Sequence, residues 1–283
     1  MKIIRSIQEM QRLARAARRR GTRIGFVPTM GAFHEGHLSL MRRAKRDTDD
    51  VVVSLFVNPT QFGPQEDFAR YPRPFHRDAA MARGIGVDVL FCPTARAMYP
   101  GGCATYVTVD GLGDGLCGAV RPGHFRGVAT VVLKFFEIVQ PDVAYFGDKD
   151  FQQATMIERL IRDLHLPVRI VRMPIVRESD GLAMSSRNRY LTPEQRRAAR
   201  ILSVSLRLAR RLIHDGERRG DRLTASIRRM IRREPLARVE YVEAVDARLL
   251  QRRRTLRGPT LIALAARFGS TRLIDNTVVA VPK

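Results

Sequence analysis

Pro28-Thr29-Met30-Gly31-Ala32-Phe33-His34-Glu35-Gly36-His37 is the stretch that decides how the chain is read. It follows a short apolar run, Ile24–Val27, with the character of a buried strand. Leu38–Lys45 comes next, with Leu38, Met41 and Ala44 at helical spacing. The stretch is therefore a strand-to-helix turn carrying Gly31, Gly36 and two histidines three residues apart. Glycine lets backbone approach a ligand closely. A helix N-terminus offers N–H groups and the positive end of its dipole, a combination suited to phosphate. Histidines beside such a terminus are placed to touch the phosphates of a nucleotide. The bland alternative is a loop with two solvated histidines; the order strand, turn, helix favours the nucleotide.

The same arrangement returns later. Val143–Phe146 reads as a strand, Gly147-Asp148-Lys149-Asp150 as its closing turn, and Phe151–Leu164 as a helix with Ile157, Leu160, Ile161 and Leu164 inward. Lys149 stands at the mouth of this second turn, where a lysine meets phosphate as a point charge. Gln152 and Gln153 sit in the first helical turn. Between the two turns, Val51–Val57 is a strand that stops at Asn58-Pro59, because proline cannot continue a central strand. Asn58 and Gln61 then lie just past its carboxyl end, the edge at which open parallel sheets bind ligands. Their amides suit a carboxylate or a hydroxyl, and equally suit ordinary turn chemistry.

Several other segments frame these. Ser6–Arg20 is an amphipathic helix opened by a Ser-x-x-Glu capping pattern. Asp78–Arg83 reads as helix, Val87–Phe91 as strand and Tyr106–Val109 as an edge strand. Gly111–Leu116 imitates a dinucleotide fingerprint, but the third glycine is replaced by Leu116, so it reads as a flexible loop. Arg121-Pro122-Gly123-His124-Phe125-Arg126-Gly127 precedes an apolar helix at Val128–Val139. Its arginines are offered to phosphate or carboxylate, or to a structural ion pair.

Val168–Ile175 is the next strand, and Asp180–Asn188 a polar loop in which Ser185, Ser186 and Arg187 are suited to a polyphosphate. One long helix is expected from Thr192 to His214 and another over Asp221–Arg233. Strands at Val239–Val245, Thr260–Ala265 and Leu273–Val281 follow. Alternating strands and helices, then helices followed by strands, predict an α/β chain. The expectation is a Rossmann-like parallel-sheet domain over residues 1–176 and a smaller α+β domain over residues 177–283.

Composition narrows the function. The formal charge of +22 invites a nucleic-acid reading. Yet 45 of the 50 basic residues are arginine, the excess is spread along the chain, and tryptophan is absent. Platforms on which bases stack are therefore poor, and neither a nucleic-acid nor a membrane partner is expected. No apolar run approaches the ~20 residues of a membrane span. Cys92, Cys103 and Cys117 are scattered with no C-x-x-C, which favours a reducing cytoplasm.

The chain resembles the pantoate–β-alanine ligase family, within the His-x-Gly-His nucleotidyltransferases, along nearly its whole length. The resemblance is carried by Pro28–His37, Phe56–Phe62, Tyr71-Pro72-Arg73, Arg121–Val128, Gln140-Pro141-Asp142, Tyr145–Gln153 and Asp180–Asn188. It implies a homodimer that uses Mg²⁺ and ATP to activate pantoate as an adenylate, then transfers it to β-alanine. Carried over by position, ATP would be held by Met30, Gly31, Ala32, Phe33, His34, Glu35, Gly36 and His37 in the first turn. Gly147, Asp148, Lys149 and Asp150 would hold it in the second. Val176, Met184, Ser185, Ser186 and Arg187 would complete the nucleotide site. His37, His34 and Lys149 would be the catalytic groups, Gln61 and Gln153 would hold pantoate, and Gln61 would also border β-alanine. Asp78 is the acid offered for magnesium. Asp148 stands where the family has glutamate and Phe33 where leucine is commoner; the shorter Asp148 is expected to loosen a contact near the ribose.

Overall fold

The side chain of Ser6 accepts a hydrogen bond from the Glu9 backbone, so the first helix begins where its capping pattern places it. The computed structural model describes residues 1–64 and 66–281. In chain order its elements begin with β1 (Lys2–Ile4), α1 (Ile7–Arg19), β2 (Ile24–Thr29), α2 (Glu35–Asp47), β3 (Asp50–Leu55), α3 (Phe75–Ile85) and β4 (Val89–Phe91). Two short helices, α4 (Ala95–Met98) and α5 (Cys117–Val120), lead to α6 (His124–Val139), β5 (Val143–Gly147), α7 (Phe151–Asp163) and β6 (Arg169–Met173). Then come α8 (Pro193–Ala198), α9 (Ile201–His214), α10 (Gly220–Ile231), β7 (Ala237–Asp246), β8 (Gly258–Phe268) and β9 (Thr271–Val281). Two compact units result: Met1–Asp110 with Arg121–Pro174, and Gly111–Val120 with the chain from Ile175 onward.

The first unit carries a six-stranded parallel sheet in the order β1-β4-β3-β2-β5-β6. The chain leaves β2 toward β3 on one side and takes up β5 on the other. The order therefore reverses between β2 and β5, and in such sheets the crevice at the reversal is the ligand-binding edge. The turns that close β2 and β5 are the two picked out from the sequence. Phe26, Phe33, Phe91 and Tyr145 are fully buried here, and the Phe135 ring of α6 lies 5.5 Å from Phe26 and 6.2 Å from Phe91. Burying one such ring is worth about 1.5–3 kcal/mol.

The second unit is an antiparallel sheet, β7-β8-β9, packed with α9 and α10. Leu202, Leu206, Ala209 and Ile213 of α9 and Leu223, Ile227 and Ile231 of α10 share one cluster with Val242, Ile262 and Leu264. The fold class is thus α/β, a Rossmann-like parallel sheet with a smaller α+β part.

Three expectations need correction. Tyr106–Val109 joins no sheet. Its Val107 N–H is taken by the Thr130 hydroxyl of α6, and Arg126 stacks 4.1 Å over the Tyr106 ring, so the segment lies along a helix instead. The helix expected from Thr192 to His214 is two helices. The N–H of Arg200 bonds to Arg197 O and that of Leu202 to Ala199 O, a tighter i to i−3 pattern that breaks the α-helical ladder. Gly111–Leu116 is anchored, with Leu112 and Leu116 buried. β1 gave no signal because three residues are too short for a periodic pattern.

Candidate active site

Thr29, the last residue of β2, donates its hydroxyl to Ser54 O at 2.6 Å, tying the mouth of β2 to β3. The next two residues turn sharply, with Gly31 at φ 85° and Ala32 at φ 53°. Glycine takes the left-handed region freely; alanine there is strained and needs an anchor. The anchor is Asp78 of α3, fully buried, whose carboxylate accepts from the N–H of Ala32 at 2.7 Å and of Phe33 at 2.9 Å. Phe33 then inserts into the core and His34 becomes the N-cap of α2.

The two histidines are oriented by backbone. His34 Nδ1 accepts from Gly36 N–H at 3.2 Å, and His37 Nδ1 accepts from His34 N–H at 3.4 Å. A ring whose Nδ1 accepts carries its proton on Nε2 when neutral. Burial first, then the charges of His34 and Lys149, hold the His37 pKa well below the usual 6.5. His37 is thus a neutral donor, with its ring centroid 4.1 Å from that of His34. The influence of Lys149 on His37 also places the two turns within electrostatic reach, as the β2/β5 adjacency requires.

Other expected residues fall variously. Lys149 is half-buried and 3.9 Å from Asp150. Asp148 accepts from Arg172 of β6 at 2.6 Å, so the shorter acid is held by an arginine that also lies 4.0 Å over the Phe151 ring. Glu35 pairs with Arg42 on the surface of α2. Gln153 is half-buried in the first turn of α7. Gln61 is buried, with Nε2 2.9 Å from Met30 Sδ and Oε1 accepting from Asn58 Nδ2 at 3.1 Å. Asn58 is 1% exposed, so its amide holds the turn rather than facing a ligand. Arg121 takes the structural role offered to it: it bonds Glu66 through two nitrogens and His124 Nε2 at 2.9 Å. Arg126 is exposed.

Comparison with known proteins gives this geometry a home. The Pantoate-beta-alanine ligase family model matches residues 2–278. A pantothenate synthetase of Heliobacterium modesticaldum is 59% identical over 281 residues, covering 99% of this chain and 100% of that protein. The chain belongs to the pantoate–β-alanine ligase family. It is an enzyme, a ligase that forms pantothenate. A pantothenate synthetase of Moorella thermoacetica is 54% identical over 99% of each chain. The crystal structure of pantothenate synthetase from Thermus thermophilus matches at a TM-score of 0.93 and 45% identity, covering 100% of both chains. That of the Francisella tularensis ligase, complexed with β-γ ATP and β-alanine, matches at 0.81 and 34%, covering 98% and 97%.

In the second unit, the loop around Ser185 is tied by backbone hydrogen bonds and ion pairs. Met184 N–H bonds Val176 O at 3.0 Å and Glu178 N–H bonds Leu182 O at 2.8 Å, closing a hairpin whose Gly181 sits at φ 91°. Arg177 clamps the buried Asp275 through bonds of 2.7 and 2.9 Å, and Arg196 bridges Glu178 and Asp180. Ser185 accepts from Arg187 N–H at 3.3 Å and opens a short 3-10 turn, within which Ser186 is buried.

Among the described residues a resident magnesium finds no ready cradle. Among the described residues no group of three or more His, Cys, Asp or Glu could hold a metal. Asp78 is buried on backbone N–H groups and Asp148 is paired with Arg172, so the offer of Asp78 to magnesium is withdrawn.

Sequence reading missed His124. It is buried, with Nδ1 at 2.8 Å from Gln61 O and Nε2 facing Arg121; the carbonyl must accept, so Nδ1 carries the proton. Burial, then the Arg121 charge, lowers its pKa from 6.5 to about 4. The unfolded chain takes up this proton near pH 6.5 and the folded chain only near pH 4. Stability from this ring is complete above pH 6.5 and is lost as pH falls across that window, by roughly 3 kcal/mol. Urea unfolding at pH 7 and pH 4.5 should show a smaller difference in His124→Asn than in the parent. Equal differences would count against the assignment.

Proposed function

We propose that the chain activates pantoate with Mg–ATP as pantoyl adenylate and passes the acyl group to β-alanine. In the first step a carboxylate oxygen attacks the α-phosphorus, the bond to the β-phosphate bridging oxygen breaks, and pyrophosphate leaves with the electron pair. In the second, the amine attacks the acyl carbon, the C–O bond to AMP breaks, and the amine's proton goes to solvent. The ionised carboxylate needs no general base. The protein's task is to align it and to meet the charge that grows on phosphorus.

The observation that carries this reading is the neutral, Nε2-protonated His37 beside Lys149 at the point where the strand order reverses. On it, His37 and His34 donate to phosphate oxygens and Lys149 supplies a point charge. The remaining residues of the two turns line the nucleotide, and Ser185, Ser186 and Arg187 are the second unit's candidates for the triphosphate. Gln61 and Gln153 bind pantoate, with Gln61 also beside β-alanine. Magnesium belongs to the nucleotide substrate, and no side chain is assigned to it. A cytoplasmic homodimer completes the reading; light scattering should return about twice the 32.0 kDa chain mass.

The test is AMP release from ATP, pantoate and β-alanine with each omitted in turn. AMP should appear only when all three are present. Pyrophosphate should appear, up to one equivalent per site, without β-alanine. AMP release independent of β-alanine would remove the amide-forming step.

A further inference from the structure

Asn58 and Gln61 share the turn after β3, and the direction of each amide follows from partners that have no choice. The carbonyl of Gly127 can only accept, and Asn58 Nδ2 reaches it at 3.1 Å. The N–H of Thr60 can only donate, and it reaches Asn58 Oδ1 at 3.4 Å. The Tyr99 hydroxyl donates to the same oxygen at 2.8 Å. Burial raises the Tyr99 pKa, so the hydroxyl keeps its proton, and Lys134 of α6 lies 5.4 Å over its ring. Asn58 is thereby fixed one way round. Its remaining N–H meets Gln61 Oε1, which fixes Gln61 in turn: oxygen toward Asn58, Nε2 toward Met30 at the mouth of β2.

The backbone beneath is equally determined. A Cβ added to Gly127 would lie 2.3 Å from Thr60 O and 2.7 Å from Gln61 N, so only glycine lets α6 approach this turn. His124, one helical turn earlier, donates to Gln61 O.

We infer that Tyr99 and Gly127, acting through Asn58, are positioning residues that hold Gln61 with its N–H edge toward the substrate. The position then accepts only a group with oxygen lone pairs, a carboxylate or a hydroxyl, and offers no acceptor to a donor-bearing analogue. This rests on the reading that Gln61 contacts pantoate.

Four variants test it, each checked for folding by its melting temperature and assayed for the KM of pantoate and of ATP. Gln61→Ala establishes the underlying contact. Asn58→Asp cannot donate to Gln61, so the amide reverses; the KM for pantoate should rise by about 10–100-fold, the range of a hydrogen bond to a charged group, with that for ATP within about twofold. Tyr99→Phe should raise the pantoate KM by about 3–10-fold, as for one neutral hydrogen bond, and it decides the matter should Asn58→Asp prove insoluble. Gly127→Ala should act in the same direction as Asn58→Asp. If Gln61→Ala raises the pantoate KM while folded Asn58→Asp and Tyr99→Phe do not, the lock is wrong and the pantoate contact stands. If Gln61→Ala itself leaves that KM unchanged, the underlying contact is wrong and the inference falls with it.

Discussion

Replacing His37 with alanine is expected to slow adenylate formation by about 10²–10³-fold, read as pyrophosphate release in a single turnover, with far less change in ATP affinity. The asymmetry comes from what the ring is. Its Nδ1 is occupied by the His34 N–H, and its pKa is held well below 6.5 by burial and by the neighbouring His34 and Lys149. It is therefore neither a cation that draws in ATP at rest nor a free base. It offers one Nε2–H, and a donor aimed at developing charge contributes mainly in the transition state. Two consequences separate this role from a general base. His37→Gln, which keeps an N–H donor, should recover part of the rate. The pH profile between 6 and 8 should carry no ionisation that His37→Gln abolishes. An ionisation near 6.5 that disappears in that variant would overturn the donor assignment.

Much of this was legible in the chain because strand-to-helix turns have strong local signatures. The Ile24–Val27 run, Gly31 and Gly36 and the apolar face of α2 mark one turn; Val143–Phe146 and Lys149 mark the other. Which strands neighbour each other is a long-range fact, and no residue near Pro28 or Gly147 announces that β2 and β5 pair through Gly25 and Val143. The parallel order followed only from the alternation of elements. What escaped was the scaffolding that holds functional groups from a distance. From sequence alone Asp78 is an acid that could only be offered to a metal, because its actual partners, the N–H groups of Ala32 and Phe33, lie more than forty residues earlier. His124 and Tyr99 escaped for the same reason, each acting on the Asn58–Gln61 turn from another element. Arg121 reads equally as ligand or ion pair in the sequence, since only the position of Glu66 decides it. Tyr106–Val109 misled because alternation reports one covered face and says nothing of whether a helix or a strand covers it.

The second large effect falls on Asp78. Asp78→Ala leaves the N–H groups of Ala32 and Phe33 without their acceptor in a site from which water is excluded. Hydrogen bonds to a charged group are worth about 1.5–3 kcal/mol each, so the loss should be roughly 3–5 kcal/mol, or on the order of 10 °C in melting temperature. Activity should fall further than stability, because Asp78 holds the left-handed pair Gly31–Ala32 in place and the histidines follow directly from it. Asp78→Asn sharpens the point. It keeps the shape, yet its amide can accept from only one of the two N–H groups and sets a donor against the other. That variant should remain folded and lose most of its pyrophosphate release. Raising magnesium then distinguishes a turn anchor from a metal ligand. A weakened ligand set is rescued in part by more metal, whereas a misdirected turn is not. Recovery of Asp78→Asn at high magnesium would restore Asp78 to the metal and leave the Ala32–Phe33 turn without its explanation.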